Sequence, residues 1–144
     1  MLRKLGSQQI RDHWSEIKPA ILACFPRAPG NVEQWMNKLL LKTLQDEAHV
    51  WIGLDEENKI SLVVVTAFVI DPCGEEKHLL IYALYGFKTI PRNLAIEVPV
   101  VLMQFAKDTD CKAVVAYSSV PSVVSLSEKI GADTKTTYLQ WRIQ

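Results

Sequence analysis

Residues 79–87 read Leu-Leu-Ile-Tyr-Ala-Leu-Tyr-Gly-Phe, a run with no charge in it. A strand with one wet face alternates apolar and polar side chains. An unbroken apolar run predicts instead a central strand covered on both sides. Upstream, Val50–Leu54 and Ile60–Ile70 are rich in β-branched residues and read as two further strands. The charged turn Asp55–Lys59 joins those two, and Asp71–Gly74, with Pro72 and Gly74 at favoured turn positions, joins the second to 79–87. Three antiparallel strands therefore lie at the centre. Downstream, Lys88–Asn93 leads into a helix with Leu94, Val98, Val101, Leu102 and Phe105 on one face. Pro99 fits that helix best if it starts only a few residues earlier. Cys111–Tyr117 is a short apolar strand, Pro121 opens a last helix that stops at the C′ glycine Gly131, and Thr136–Ile143 alternates as a closing strand.

The N-terminal third is mostly helical. Met1–Leu5 reads as a short strand. Ser7 then caps a helix with Ile10, Trp14, Ile17, Ile21 and Phe25 on one face, and Pro19, on the opposite face, kinks it. Phe-Pro-Arg-Ala-Pro-Gly at 25–30 is a breaker. Asn31 with Gln34 forms a capping box before a second helix carrying Val32, Trp35, Met36, Leu39, Leu40 and Leu44. The expected order is β-α-α-β-β-β-α-β-α-β, an α/β chain (α+β mixed sheet) forming one domain over 1–144.

Composition excludes several function classes. Lys plus Arg and Asp plus Glu both number 16, so no basic excess points to nucleic acid. No apolar run reaches the ~20 residues of a membrane span, and the N-terminus has no secretory signal. Three scattered cysteines and three histidines without ligand spacing argue against a metal site and fit a reducing compartment. The four tryptophans, including Trp141, read as core or rim packing. Tyr82, Tyr85 and Tyr117 are candidates to line a cleft where central strands splay. Ser118 and Ser119 suit helix capping, with no Gly-x-Ser-x-Gly elbow to activate them.

The element order resembles that of the GCN5-related N-acetyltransferases (GNAT) over nearly the whole chain. The local match is strongest in Ser125–Ile143, where Lys129, Ile130, Gly131 and Ala132 are similar to the family's Lys-Leu-Gly-Phe ending of the last helix. The resemblance implies acetyl-CoA as cofactor and a phosphate-binding loop of the form Gln/Arg-x-x-Gly-x-Gly/Ala after the fourth strand. Small residues there let successive backbone N–H groups face the phosphates, and the helix dipole adds to the attraction.

The corresponding segment, Phe87–Ala95, has no glycine. With Lys88 in the Gln/Arg place, Pro91 and Asn93 take the small-residue places, and Pro91 has no N–H to donate. Lys88, Thr89 and Arg92 could still hold phosphates through their side chains. Two further positions depart from the family pattern: Ser127 stands where a Tyr commonly protonates the leaving thiolate, and Val120 where an Asn contacts the cofactor. The central strand carries no internal general base, and His78 lies at its start.

Two main readings follow. In the first, a GNAT-like domain without catalysis binds another protein or a second copy of itself. Leu84–Phe87 and Ile130–Ala132 are similar to sequences of virion-associated proteins of short-tailed bacteriophages, so this reading includes a phage structural component, in the particle or the cytoplasm. The alternative is an acetyl-CoA-dependent N-acetyltransferase with a rebuilt phosphate loop; a third possibility keeps CoA binding as a sensor. An enzyme would align the pantetheine arm along Ala83, Leu84, Tyr85 and Gly86, hold phosphates with Lys88, Thr89 and Arg92, and use His78 or Tyr85 as proton carrier. An intact row of amides after Lys88 favours the enzyme or sensor, and a loop closed by Pro91 favours the scaffold.

Overall fold

The computed structural model describes residues 1–24, 31–118 and 121–136, together with 139, 141 and 143. Phe25, the 25–30 breaker, Ser119, Val120 and half of the expected last strand (137, 138, 140 and 142) lie outside the described residues.

The elements follow the expected order: β1 (Leu2–Lys4), α1 (Ser7–Ala23), α2 (Val32–Leu44), β2 (Ala48–Leu54), β3 (Ile60–Ile70), β4 (Lys77–Gly86), α3 (Arg92–Asp108), β5 (Ala113–Ala116) and α4 (Pro121–Lys129). The strands form one sheet in the order β1-β2-β3-β4-β5. The first three pairings are antiparallel, and β4 with β5 is parallel. α3 makes the crossover that a parallel pair requires. No helix of the described residues is long and apolar enough to cross a membrane.

Each face of the sheet has its own core. On one side Ile10, Ile17 and Ile21 of α1 and Met36 and Leu39 of α2 pack on Val50, Ile52, Val63, Val65 and Ala83. On the other, Leu94, Val98, Leu102 and Ala106 of α3 pack on Trp51, Leu62, Val64 and Leu79. Residues 61–66 of β3 are all buried. β2, buried over 48–53, and β3 are thus the strands covered on both sides, which corrects the expectation for 79–87: Leu84 is 47% and Phe87 44% exposed. An apolar run reports that a strand is central, and β4 is central between β3 and β5. It does not report how far the covering layers extend.

Local chemistry refines the ends of the elements. Gly6, extended at φ −80° and ψ 170°, is the N-cap of α1 in place of Ser7, and the Gln9 side chain accepts its N–H at 2.9 Å. Asn31 caps α2 as expected, accepting the Gln34 N–H at 3.1 Å. Both internal prolines are accommodated: α1 runs through Pro19, and α3 starts well before Pro99 and continues past it. Each costs one hydrogen bond, to the carbonyl four residues back. The β3–β4 turn is organised by Asp71, whose Oδ1 accepts the Cys73 and Gly74 N–H groups, while the left-handed position falls on Glu75. Gly131 has φ +96°, and Ala132 N–H donates to the Ser127 carbonyl, so α4 stops where the C′ glycine predicted. Trp51 is core and Trp14 and Trp35 are half-buried, whereas Trp141 is 79% exposed.

Candidate functional site

The β4–β5 ladder is short. It runs from His78 opposite Ala113 to Ile81 opposite Ala116, and β4 then continues through Tyr82–Gly86 without β5 beside it. At the same point β4 contains an extra residue. Ala83 pairs with Val65 and Ile81 with Thr66, leaving Tyr82 as a bulge. A bulge bends and twists a strand and reverses which residues face which side. Before it, Leu79 and Ile81 face α3; after it, Ala83 and Tyr85 face α1 and α2. β5 ends at Ala116, so at the bulge β4 loses its neighbour among the described residues and runs on alone, and this point is the fork.

Beyond the fork the backbone of β4 is presented to the gap. Phe87 N–H donates to the Ser61 carbonyl of β3 at 2.9 Å. Bonded and non-bonded pairs alternate along an antiparallel ladder, so Tyr85 and Ala83 also bond β3. Leu84 and Gly86 therefore turn their N–H and C=O groups toward the open side. The Leu84 carbonyl accepts the Cys24 thiol, 3.4 Å away at the end of α1. Burial raises the pKa of Cys24, with the bond to Leu84 acting in the opposite direction, so the thiol stays a protonated donor.

Tyr82 of β4 and Tyr117, just after the end of β5, are the first residues past the fork. Tyr82 lies beside Trp35 of α2, ring centroids 6.4 Å apart, and Tyr117 is 64% exposed. Tyr85 is half-buried, edge-on to Phe87 at 5.3 Å. His78 sits before the fork, within the paired part of β4, with Nε2 3.2 Å from Glu76. At ~3.3 Å per residue it lies roughly 20 Å along the strand from Tyr85, so the two candidate proton carriers do not share a site. Ser127 donates its hydroxyl to the Val123 carbonyl within α4, at 2.8 Å.

The loop after β4 folds tightly. A Cβ on Gly86 would lie 3.3 Å from both Ile90 Cγ1 and the Lys88 carbonyl oxygen, so the loop packs back on the strand end. Ile90 joins the core under α3, and Lys88, Thr89 and Arg92 are exposed. Pro91 is the N-cap of α3, with φ −56° and ψ 143° and no side-chain cap. Its missing N–H thus falls outside the first helical turn. The amides of Arg92, Asn93 and Leu94 precede the first helical bond, from Ala95 N–H to the Pro91 carbonyl. An uncapped N-terminus of this kind attracts anions. Pro91 therefore leaves the amides of Arg92, Asn93 and Leu94 without an intrahelical acceptor.

One neighbour was not readable from sequence. Asp55, at the end of β2, lies across from the loop, with Oδ2 3.5 Å from Lys88 Nζ. Its Oδ1 accepts the N–H groups of Glu57 and Lys59, each at 2.9 Å. The Lys59 N–H, first, then Glu57 and Lys88 hold its carboxyl below the usual carboxylate range. Asp55, Glu56, Glu57, Lys88 and Pro91 line a depression of about 280 Å³ at the mouth of the loop. Cys24 was equally invisible, because both contacts join residues distant in sequence. Tyr82 and Tyr117 carried a signal, as tyrosines at the ends of apolar strands.

No protein-family model matches the chain, and no curated protein matches its sequence. Solved structures do match its shape. A predicted acetyltransferase with acetyl-CoA from Clostridium acetobutylicum is similar at TM-score 0.75 and 16% identity, over 99% of this chain and 95% of that one. An aminoglycoside acetyltransferase from an uncultured soil metagenomic sample, in complex with sisomicin, is similar at 0.73 and 14%, over 100% and 96%. A GNAT family acetyltransferase from Staphylococcus aureus follows at 0.68 and 14%, over 99% and 98%. The mixed five-stranded sheet, its flanking helices and these likenesses together establish that the chain has the fold of the GNAT acetyltransferases.

Proposed function

We propose that this chain is an acyl-CoA-dependent N-acetyltransferase. The observation that carries the reading is the fork: β4 bends at a bulge as β5 ends, and the N–H groups of Leu84 and Gly86 and the Gly86 carbonyl face the gap, the Leu84 carbonyl accepting the Cys24 thiol. An extended pantetheine arm, with its two amides, suits such an edge, because it can take the hydrogen bonds a sixth strand would take. The first-turn amides of α3 and the exposed Arg92 that begins it are the donors proposed for a diphosphate at the end of that arm. Acetyl-CoA, when bound, supplies an activated acetyl thioester. One of the structures of similar shape is described with acetyl-CoA, which fits this choice of donor.

The chain's own task is then to align the arm and to return a proton to the leaving thiolate. Tyr82 and Tyr117 flank the fork and take the latter role in place of Ser127, whose hydroxyl is committed within α4. A phenol is better matched to a thiolate than an aliphatic hydroxyl is. Nothing in the fold favours the virion-associated alternative.

The test is titration calorimetry with acetyl-CoA, followed by a thiol-release assay over aminoglycosides, peptide N-termini and alkylamines. Saturable binding with amine-dependent release of thiol is expected. No binding at millimolar donor would overturn the reading, and binding without release for any amine would leave a ligand-binding domain.

A further inference from the structure

The mouth of the loop after β4 is acidic where a nucleotide binder would be basic. Three carboxylates, Asp55, Glu56 and Glu57, line the same depression as one ammonium, Lys88, and the N-cap residue of α3, Pro91, and Glu57 also pairs with Lys59, Oε2 to Nζ 3.4 Å. Glu56 and Glu57 are exposed, but the Asp55 side chain is only 17% exposed and is fixed from two directions. Two backbone N–H groups pin Oδ1, and Lys88 approaches Oδ2. The one loop cation nearest β4 is therefore already engaged by an anion of the chain itself. Asp55 and Pro91 line the same depression, so a phosphate seated on the α3 amides would compete with Asp55 for Lys88 and lie near a carboxylate held in place by the turn. Like charges a few ångströms apart oppose binding even at the surface, and the opposition weakens with salt.

We propose that Asp55 is a specificity-determining residue for the acyl donor: it weakens the hold on the diphosphate and adenylate half of a CoA thioester, so that the donor is recognised mainly by its acyl-pantetheine arm. The inference rests on the acyl-CoA reading above and deepens it. Main-chain recognition at Leu84 and Gly86 is neutral and is untouched by Asp55. The nucleotide half gains contacts with the α3 amides and Arg92 but meets the carboxylates, so its net contribution is small. Donor specificity is thus split between two adjoining surfaces with opposite effects.

Calorimetric titration of wild type and Asp55→Asn with acetyl-CoA, acetyl-pantetheine and 3′,5′-ADP separates the two halves of the donor. Asn keeps the Oδ1 acceptor for the Glu57 and Lys59 amides and removes the charge, so the turn is preserved; a melting curve checks this. Wild type is expected to bind acetyl-CoA and acetyl-pantetheine within about threefold of each other. Removing one charge near a phosphate should raise acetyl-CoA affinity about tenfold in Asp55→Asn, less at high salt, and leave acetyl-pantetheine unchanged. The Glu56→Gln/Glu57→Gln double variant, altered only at exposed side chains, should gain about threefold by the same route. Acetyl-CoA binding more than a hundredfold tighter than acetyl-pantetheine in wild type, or no gain in either variant, would overturn the proposal while leaving the acyl-CoA reading intact. Failure of every protein to bind either donor would overturn both.

Discussion

Leu62 and Leu84 are diagonal neighbours on adjacent strands and point to the same face of the sheet, yet one is 1% exposed and the other 47%. Leu62 lies under Leu94, Val98 and Leu102 of α3, inside a closed layer. Leu84 lies past the bulge, beyond the last residue of β5. The same residue type is stability in one place and open surface in the other. The difference comes from one extra residue, Tyr82, and from a β5 of four residues. A fold can thus hold a rigid closed half and an open edge side by side, and the open edge is where backbone groups remain for a ligand.

Mutations sharpen this contrast. Leu62→Ala should cost about 2–5 kcal/mol in a denaturant titration, because a fully covered leucine leaves a cavity. Next in size is Thr66→Val. The Thr66 hydroxyl takes the Trp51 Nε1–H and pairs with His49 Nδ1, each at 3.0 Å, deep in the closed half. Removing it strands two buried polar groups at about 1–3 kcal/mol. Asn31→Ala, which loses the α2 cap, should cost about 1 kcal/mol. Leu84→Ala should stay within about 0.5 kcal/mol. If Leu84→Ala were as costly as Leu62→Ala, the open edge would not be open.

The closed half also predicts a pH dependence. His49 is 2% exposed, between Phe68 and Phe105, and its Nε2, 3.8 Å from Asp46 Oδ1, has no hydrogen-bond partner among the described residues. Burial, first, and Lys4 lower its pKa, while Asp46 pulls the other way. The unfolded chain takes up a proton near pH 6.5 that the folded chain resists until lower pH. Stability from this group is therefore flat above about pH 7 and falls on acidification through 6.5 toward the folded value. Melting temperatures between pH 8 and 5 should show the slope in wild type and a smaller one in His49→Gln. A wild-type melting temperature that rises on acidification over this window would contradict the account.

Much of the fold was legible because it rests on local pattern. The 60–70 strand, the Asn31 cap and the Gly131 stop all follow from residues near one another in sequence. Ser7 lost the cap to Gly6 because Gln9 reaches back to the glycine N–H, a short-range detail that side-chain type alone does not rank. The candidate site was less legible. Its departures from the family pattern at 88–93 could be read, but the place of Pro91 could not, since N-cap and first helical residue differ only by backbone angles. Asp55 reaches Lys88 across 33 residues, and Cys24 reaches Leu84 across 60. Such contacts exist only once the sheet has formed. His78 and Tyr85, read as alternative proton carriers on one strand, fall on opposite sides of the fork.

Amide hydrogen exchange with and without saturating acetyl-CoA tests the central claim most directly, because it reads the backbone groups on which the claim rests. The account predicts slowed exchange at Leu84 and Gly86 and in the first turn of α3, with β2 and the buried middle of β3 unchanged. Unaltered exchange at Leu84 and Gly86 under saturating ligand, or protection confined to another surface, would contradict it.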